Sequence, residues 1–250
     1  MQTFEKKIWM YWENKPGYKR PAYLELALET IEKNSGEYEV VMLNEKTVEN
    51  YISIPNTVNR LNHLAHKADY IRFQLLYKYG GVWLDSDMIL LRDIGEAVDP
   101  YIKDYEFVSC GIEHLKPSIW FMASRKGFKL LKDQIDEIDD VLKKKKRFTL
   151  PLFKIKLKWL QIGYDILWKN TPRYDYYCHE YKMFAPTVWN EWETFNRTDI
   201  KLEDYLAHNP YAVTLYNEKM FPTYKDKTRE EILEGDSLLS KLFRRALQHT

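Results

Sequence analysis

The sequence predicts an α/β fold, a sheet flanked by helices with a mixed, helix-rich C-terminal part. Three observations carry that expectation. Residues 7–12 and 38–43 are short apolar runs separated by a helical stretch opening at Pro21, which is the strand, helix, strand order of a βαβ unit. Such a unit should have parallel strands and a right-handed crossover. Residues 63–94, HLAHKADYIRFQLLYKYGGVWLDSDMILLRDI, read as a helix, a Gly-Gly turn and a buried strand that delivers two carboxylates. Helical periodicity then dominates the later chain, from residues 127–141 to the apolar stripe of Leu238, Leu239, Leu242, Phe243, Ala246 and Leu247.

The first strand is ended by the turn chemistry of Asn14, Lys15, Pro16 and Gly17. The helix that follows has Tyr23, Leu24, Ala27, Leu28 and Ile31 on its apolar side and ends near Asn34 and Gly36. Open α/β sheets bind ligands beyond the carboxyl ends of their strands, where Asn44 and Glu45 fall. Capping of the next segment accounts for Asn44 equally well.

In the helix from His63 onward, Leu64, Ala68, Ile71 and Leu75 share one face, the expected buried one. Asp69 and Arg72 project from a different face. Gly80 and Gly81 supply the left-handed conformation of a C-cap, and the run Val82, Trp83, Leu84 leads to Asp85, Ser86 and Asp87. Two carboxylates this close are costly unless something positive satisfies them. A hard divalent cation does so and keeps positions for phosphate oxygens, whereas a solvated acidic loop is the plain alternative.

The ordered pattern ADYIRFQLLYKYGGVWLDSD resembles the Asp-x-Asp glycosyltransferases of the capsular-polysaccharide-synthesis and mannosyltransferase-like type, and more distantly the clostridial glucosylating toxins. That resemblance implies a GT-A fold and Mn²⁺ or Mg²⁺ as cofactor. It puts Asp69 and Arg72 where they help hold the nucleotide sugar, Asp85 near the ribose and donor sugar with Ser86 beside it, and Asp87 as direct metal ligand. It also puts Trp12, at the end of the first strand, where it can stack on the donor base; Trp9 stands where the family usually has His. A late strand at residues 211–216 corresponds to one that returns to the pyrophosphate. Thr214 replaces the family's usual His there, which makes Asn217 the candidate second metal ligand, with a simple turn as the alternative.

Length and composition agree with one domain, divided into a nucleotide-sugar-binding core at residues 1–125 and an acceptor-side, helical part at 126–250. A hydrophobic content of 45% is enough for a substantial core, and a net charge of +1 gives no overall field toward nucleic acid. The absence of any nucleic-acid-binding module argues the same way. Nineteen Tyr and eight Trp suit stacking on sugars as well as ordinary amphipathic surfaces. Cys110 and Cys178 lack metal-ligand spacing and read as free thiols. Without a signal peptide or membrane-spanning run, the expected location is the cytoplasm, at most against the inner face of the membrane.

Further strands are expected at 88–91, 107–110 and 119–123, with the sheet complete before residue 125. Residues 143–160, KKKKRFTLPLFKIKLKWL, interleave cations with large apolar side chains, as a solvated basic face does or a segment that docks on an anionic bilayer. The C-terminal stripe fits packing on the domain, or else membrane contact or dimerisation. His179, Glu180 and His208 lack zinc spacing and read as surface or satisfied core residues. The resemblance thus implies a retaining, metal-dependent transferase. Its donor is a nucleotide-diphosphate sugar, with UDP-sugars favoured, and its acceptor a saccharide or lipid-linked saccharide. The alternatives are a haloacid-dehalogenase-like phosphatase, whose nucleophile loop is also apolar-Asp-x-Asp but normally opens the fold, and a non-catalytic sugar-nucleotide-binding protein.

Overall fold

The computed structural model describes residues 4–14, 17–111 and 116–248, so Lys15 and Pro16 of the expected turn lie outside the described residues. In chain order the strands are β1 (Lys7–Tyr11), β2 (Glu39–Leu43), β3 (Gly81–Leu84), β4 (Met88–Leu90), β5 (Phe107–Gly111), β6 (Pro117–Ser124), β7 (Tyr177–Glu180) and β8 (Ala212–Thr214). The helices are α1 (Ala22–Lys33), α2 (Asn56–Asn59), α3 (Leu64–Tyr79), α4 (Ile94–Ile102), α5 (Lys129–Arg147), α6 (Tyr164–Asn170), α7 (Leu202–Tyr205), α8 (Asn217–Tyr224), α9 (Arg229–Glu234) and α10 (Leu238–Gln248). The chain divides into two compact units, each drawn from three segments. The first is Met1–Glu13, Val41–Leu84 and Tyr101–His179; the second is Asn14–Val40, Asp85–Pro100 and Glu180–Thr250.

The first unit is built on a six-stranded sheet in the order β2-β1-β3-β6-β5-β7. Strand β1 pairs with β3 in parallel, Ile8 opposite Val82, while β3 with β6 and β6 with β5 are antiparallel. The sheet is not complete before residue 125. Its last edge is β7, a four-residue YCHE strand too short and too polar to show an apolar alternation in the sequence. Trp9 is buried in β1, where its indole Nε1 donates to Gly80 O at 2.8 Å. Gly80 and Gly81 sit at φ 75° and 95°. A Cβ on Gly81 would lie 2.7 Å from Lys7 O, so the turn between α3 and β3 needs glycine for both conformation and space.

Helix α3 departs from the simple amphipathic reading. Leu64, expected on the buried face, is exposed at the helix start, whereas Asp69 and Arg72, expected on another face, are buried with Tyr70, Ile71, Phe73, Leu75 and Leu76. The helix is enclosed around most of its circumference, so its polar residues had to be paired internally. Helix α5 begins at Lys129, after Gly127 at φ 78°, and runs on to Arg147. Cys110 and Cys178 are free, and burial pushes the Cys178 thiol up to about 11.

The second unit contains a two-stranded antiparallel sheet of β4 and β8, with Met88 opposite Thr214 and Leu90 opposite Ala212. Asn34, just past α1, joins three elements: its Nδ2 donates to Thr30 O at 2.9 Å, Leu90 O at 3.0 Å and Ala246 O at 3.2 Å. The stripe Leu238, Leu239, Leu242, Phe243 and Ala246 of α10 is buried within this unit, against α1, α9 and β4. That stripe therefore offers no face to a membrane. A capping box of Thr228 and Glu231 opens α9. Among the described residues, no helix is long and apolar enough to cross a membrane.

Candidate active site

In the second unit the Asp-x-Asp loop is held by the pairing of β4 with β8. Because Met88 faces Thr214, the residue before β4 meets the residues after β8. Leu215 N donates to Asp87 O at 2.8 Å. Tyr216 then turns the chain with φ 55°, a left-handed conformation uncommon for a bulky side chain, and the backbone N–H of Asn217 donates to Asp87 Oδ2 at 2.7 Å. Asn217 is the first residue of α8. Its Oδ1 accepts a hydrogen bond from the hydroxyl of the fully buried Tyr23 on α1. Burial, then the charge of Asp87, raises the Tyr23 phenol, which keeps it a donor. Asp85 and Asp87 are half-buried and Ser86 is buried.

Tyr216 is fixed in its turn by a chain of hydroxyls. It donates to Thr187 O at 2.7 Å and lies 2.6 Å from the Tyr181 hydroxyl, which therefore donates to it. Thr187 Oγ1 is in turn 2.7 Å from the Tyr205 hydroxyl. Burial, followed by the hydrogen bond with Tyr181, raises the Tyr216 phenol.

The oxygens gathered here are a carboxylate and an amide carbonyl, which are hard donors of the kind Mg²⁺ and Mn²⁺ take. Asp87 Oδ2 accepts from Asn217 N–H. Among the described residues no group of three or more His, Cys, Asp and Glu could hold a metal ion.

The first unit carries Asp69, Arg72 and Trp12. Arg72 Nη2 lies 3.3 Å from Asp69 Oδ1, its Nη1 donates to Ile119 O, and its guanidinium stands 4.9 Å from the centre of the Trp83 ring. Gly163 closes over this pair: a Cβ there would come within 2.9 Å of Asp69 Oδ2. Trp12 follows β1, half-buried, and its N–H donates to Leu43 O at 2.9 Å. Next to it, Glu13 Oε2 accepts from the Tyr11 hydroxyl at 2.6 Å and from Lys67 Nζ at 2.7 Å.

The structure therefore brings Asp69 to Arg72 in one unit and Asp87 to Asn217 in the other. It adds residues the sequence reading missed: Tyr23, Tyr216, Glu13 and Lys67. The legible signals were a tyrosine at the head of an otherwise aliphatic stripe in α1, and a lysine two residues before Asp69. His179 is a core residue, its ring 5.0 Å from that of Tyr101 and 4.9 Å from that of Tyr177, while His208 is exposed.

Such an α/β fold is that of the GT-A glycosyltransferases. The apo-form glycosyltransferase GlyE of Streptococcus pneumoniae TIGR4 aligns with 99% of this chain and 61% of its own, at TM-score 0.50 and 11% identity. An active-site mutant of LgtC aligns over 83% of this chain and 86% of its own, at TM-score 0.47 and 13% identity. Residues 1–243 match the model of the capsular polysaccharide synthesis protein family, and the chain belongs to that family. A relative, the O-glycosyltransferase braB of Annulohypoxylon truncatum, is 23% identical over 152 residues, 52% of this chain. The match takes in only 36% of that relative's length.

Proposed function

We propose that this chain is a glycosyltransferase of surface polysaccharide synthesis, moving a sugar from a nucleotide-diphosphate sugar, with UDP-sugars favoured, to a saccharide acceptor. The observation that carries the reading is the contact between Asp87 and Asn217. Two residues 130 positions apart are joined at 2.7 Å, Asn217 N–H to Asp87 Oδ2, by a strand pairing and a left-handed turn, while the Asn217 side-chain oxygen accepts from Tyr23. Family membership supports the same reading, and the phosphatase alternative finds no counterpart in it.

In transfer, the bond from the anomeric carbon to the diphosphate breaks and the sugar develops oxocarbenium character, while the departing oxygens gain charge. A Mn²⁺ or Mg²⁺ ion on Asp87 and Asn217 would supply Lewis-acid stabilisation of that charge. The chain's own contribution is to keep these groups in place. Asn217 N–H and Leu215 N–H fix the two ends of Asp87, and Tyr23 orients the Asn217 amide. Asp85 is assigned to the ribose and donor sugar, with Ser86 beside it. Asp69 and Arg72 support donor binding, with Arg72 already committed to Asp69, Ile119 O and the Trp83 face. Trp12 stacks on the base. No side-chain nucleophile is assigned. Retention of configuration follows from the family resemblance, with the leaving diphosphate receiving the acceptor's proton.

A panel of nucleotide sugars, followed for release of nucleoside diphosphate with and without Mn²⁺, tests the proposal. Asp87→Asn, nearly isosteric, should lower kcat/KM by at least about 100-fold with the unfolding midpoint unchanged. Metal-independent turnover, or full activity in the variant, would remove Asp87 from the chemistry.

A further inference from the structure

The stretch that follows α5 in the first unit breaks the ordinary rule for large apolar side chains. Phe148, Leu150, Leu152, Phe153, Trp159 and Leu160 are all exposed, Leu152 at 97% and Phe148 at 84% of their surface. Scattered exposed apolar residues need no explanation, but a run of this density marks a surface that meets something.

The run is not a frayed loop, because its backbone is tied down. Ile155 is fully buried, its N–H donates to Arg60 O at 2.7 Å, and its carbonyl accepts from Asn62 N at 3.2 Å. The Arg60 guanidinium donates to Leu150 O at 2.6 Å and Phe153 O at 2.9 Å. Further on, Trp159 O lies 3.0 Å from His66 Nε2, and the indole stands edge-on 5.6 Å from His63. Ile155, with Leu157 partly buried against the core, anchors the segment while Phe148, Leu150, Leu152, Phe153, Trp159 and Leu160 stay exposed.

The charges indicate the occupant. Residues 143–160 hold Lys143, Lys144, Lys145, Lys146, Arg147, Lys154, Lys156 and Lys158, and no Asp or Glu. One or two cations at the end of α5 would satisfy its dipole; the dipole gives no reason for cations to continue among exposed Phe, Leu and Trp. We propose that residues 143–160 form a docking surface for an anionic bilayer. Lipid headgroups would take the ammonium and guanidinium groups, and the apolar side chains would enter the interface below them. Lysine suits this arrangement because its stem lies along apolar surface while its charge stays in the headgroup layer. The buried stripe of α10 takes no part. Docking goes beyond the transfer reaction and is measured without any sugar donor, so either reading can fail while the other stands.

The test is flotation of the full chain with vesicles of phosphatidylcholine, alone or mixed with phosphatidylglycerol. The chain should float with the anionic vesicles only, and added salt should suppress it. Replacing Lys143, Lys144, Lys145 and Lys146 together by Gln should lower partitioning by at least about 100-fold. Leu152→Ser with Phe153→Ser should abolish flotation at an unchanged unfolding midpoint, as both side chains are exposed. Equal recovery with neutral and anionic vesicles, or undiminished flotation of either variant, would overturn the proposal. So would a concentration-dependent dimer, lost on Leu152→Ser with Phe153→Ser, in a chain that floats with neither vesicle; that result would give the surface to a second copy.

Discussion

Asp69 and Asp87 lie 18 positions apart in one continuous motif, yet their surroundings have little in common. Asp69 is buried, its charge met by the buried Arg72 at 3.3 Å, and Gly163 leaves no room beside it. Asp87 is half-buried; its carboxylate accepts from Asn217 N–H and its main-chain carbonyl from Leu215 N–H. A sealed, paired carboxylate serves the fold and positions what lies around it. One that is half-buried and tied to the turn at Asn217 is the carboxylate we propose to meet a divalent ion. The difference separates the residues expected to set stability from those expected to set metal-dependent chemistry.

The largest effect should come from breaking the sealed pair. Arg72→Met keeps bulk but removes the guanidinium that faces the buried Asp69, so stability in chemical denaturation should fall by about 3–5 kcal/mol. A loss comparable to that of an exposed ion pair would show that water reaches Asp69 and would erase the contrast. Trp12→Ala examines the half-buried end of β1. If the ring stacks on the base, affinity for free UDP should weaken by about 1–3 kcal/mol, measured by calorimetry. Unchanged affinity in a folded variant returns Trp12 to packing alone. The smallest stability change belongs to Tyr23→Phe, which deletes the donor to Asn217 Oδ1 and should cost about 0.5–1.5 kcal/mol. Its functional trace should be larger, a Mn²⁺ requirement raised about tenfold through a misdirected Asn217. If Mn²⁺ dependence is the same as in the parent chain, Asn217 is not a ligand that Tyr23 orients.

Legibility in the sequence followed the range of the interactions. β1, α1, β2, α3 and β3 were readable because local periodicity and Gly-Gly turn chemistry agree there. The enclosure of α3 was not, since LAHKADYIRF looks amphipathic until Ile119 and Gly163, far along the chain, close over its polar side. β7 escaped because four residues carry no period. Asp85 and Asp87 could be named as candidates through an ordered motif. Asn217 could be named only from resemblance, and its contact with Asp87 depends on Tyr216 adopting a conformation that its side chain does not advertise. Tyr23 was read as one more residue of an apolar stripe, its place at the head of an otherwise aliphatic face being the one local mark of its hydroxyl. The stripe of α10 and the run at residues 143–160 looked alike as candidate membrane faces. Long-range packing separated them, covering one and leaving the other exposed.

We propose that Asp87, fixed through Asn217 N–H and Leu215 N–H, receives the divalent ion that binds the donor's diphosphate. Titration calorimetry of UDP, with and without Mn²⁺, on the parent chain and on Asp87→Asn tests it most directly. Mn²⁺ should tighten UDP binding to the parent chain by at least about tenfold, and the variant should lose that enhancement at an unchanged unfolding midpoint. The same enhancement in both chains would contradict the claim and place the ion elsewhere.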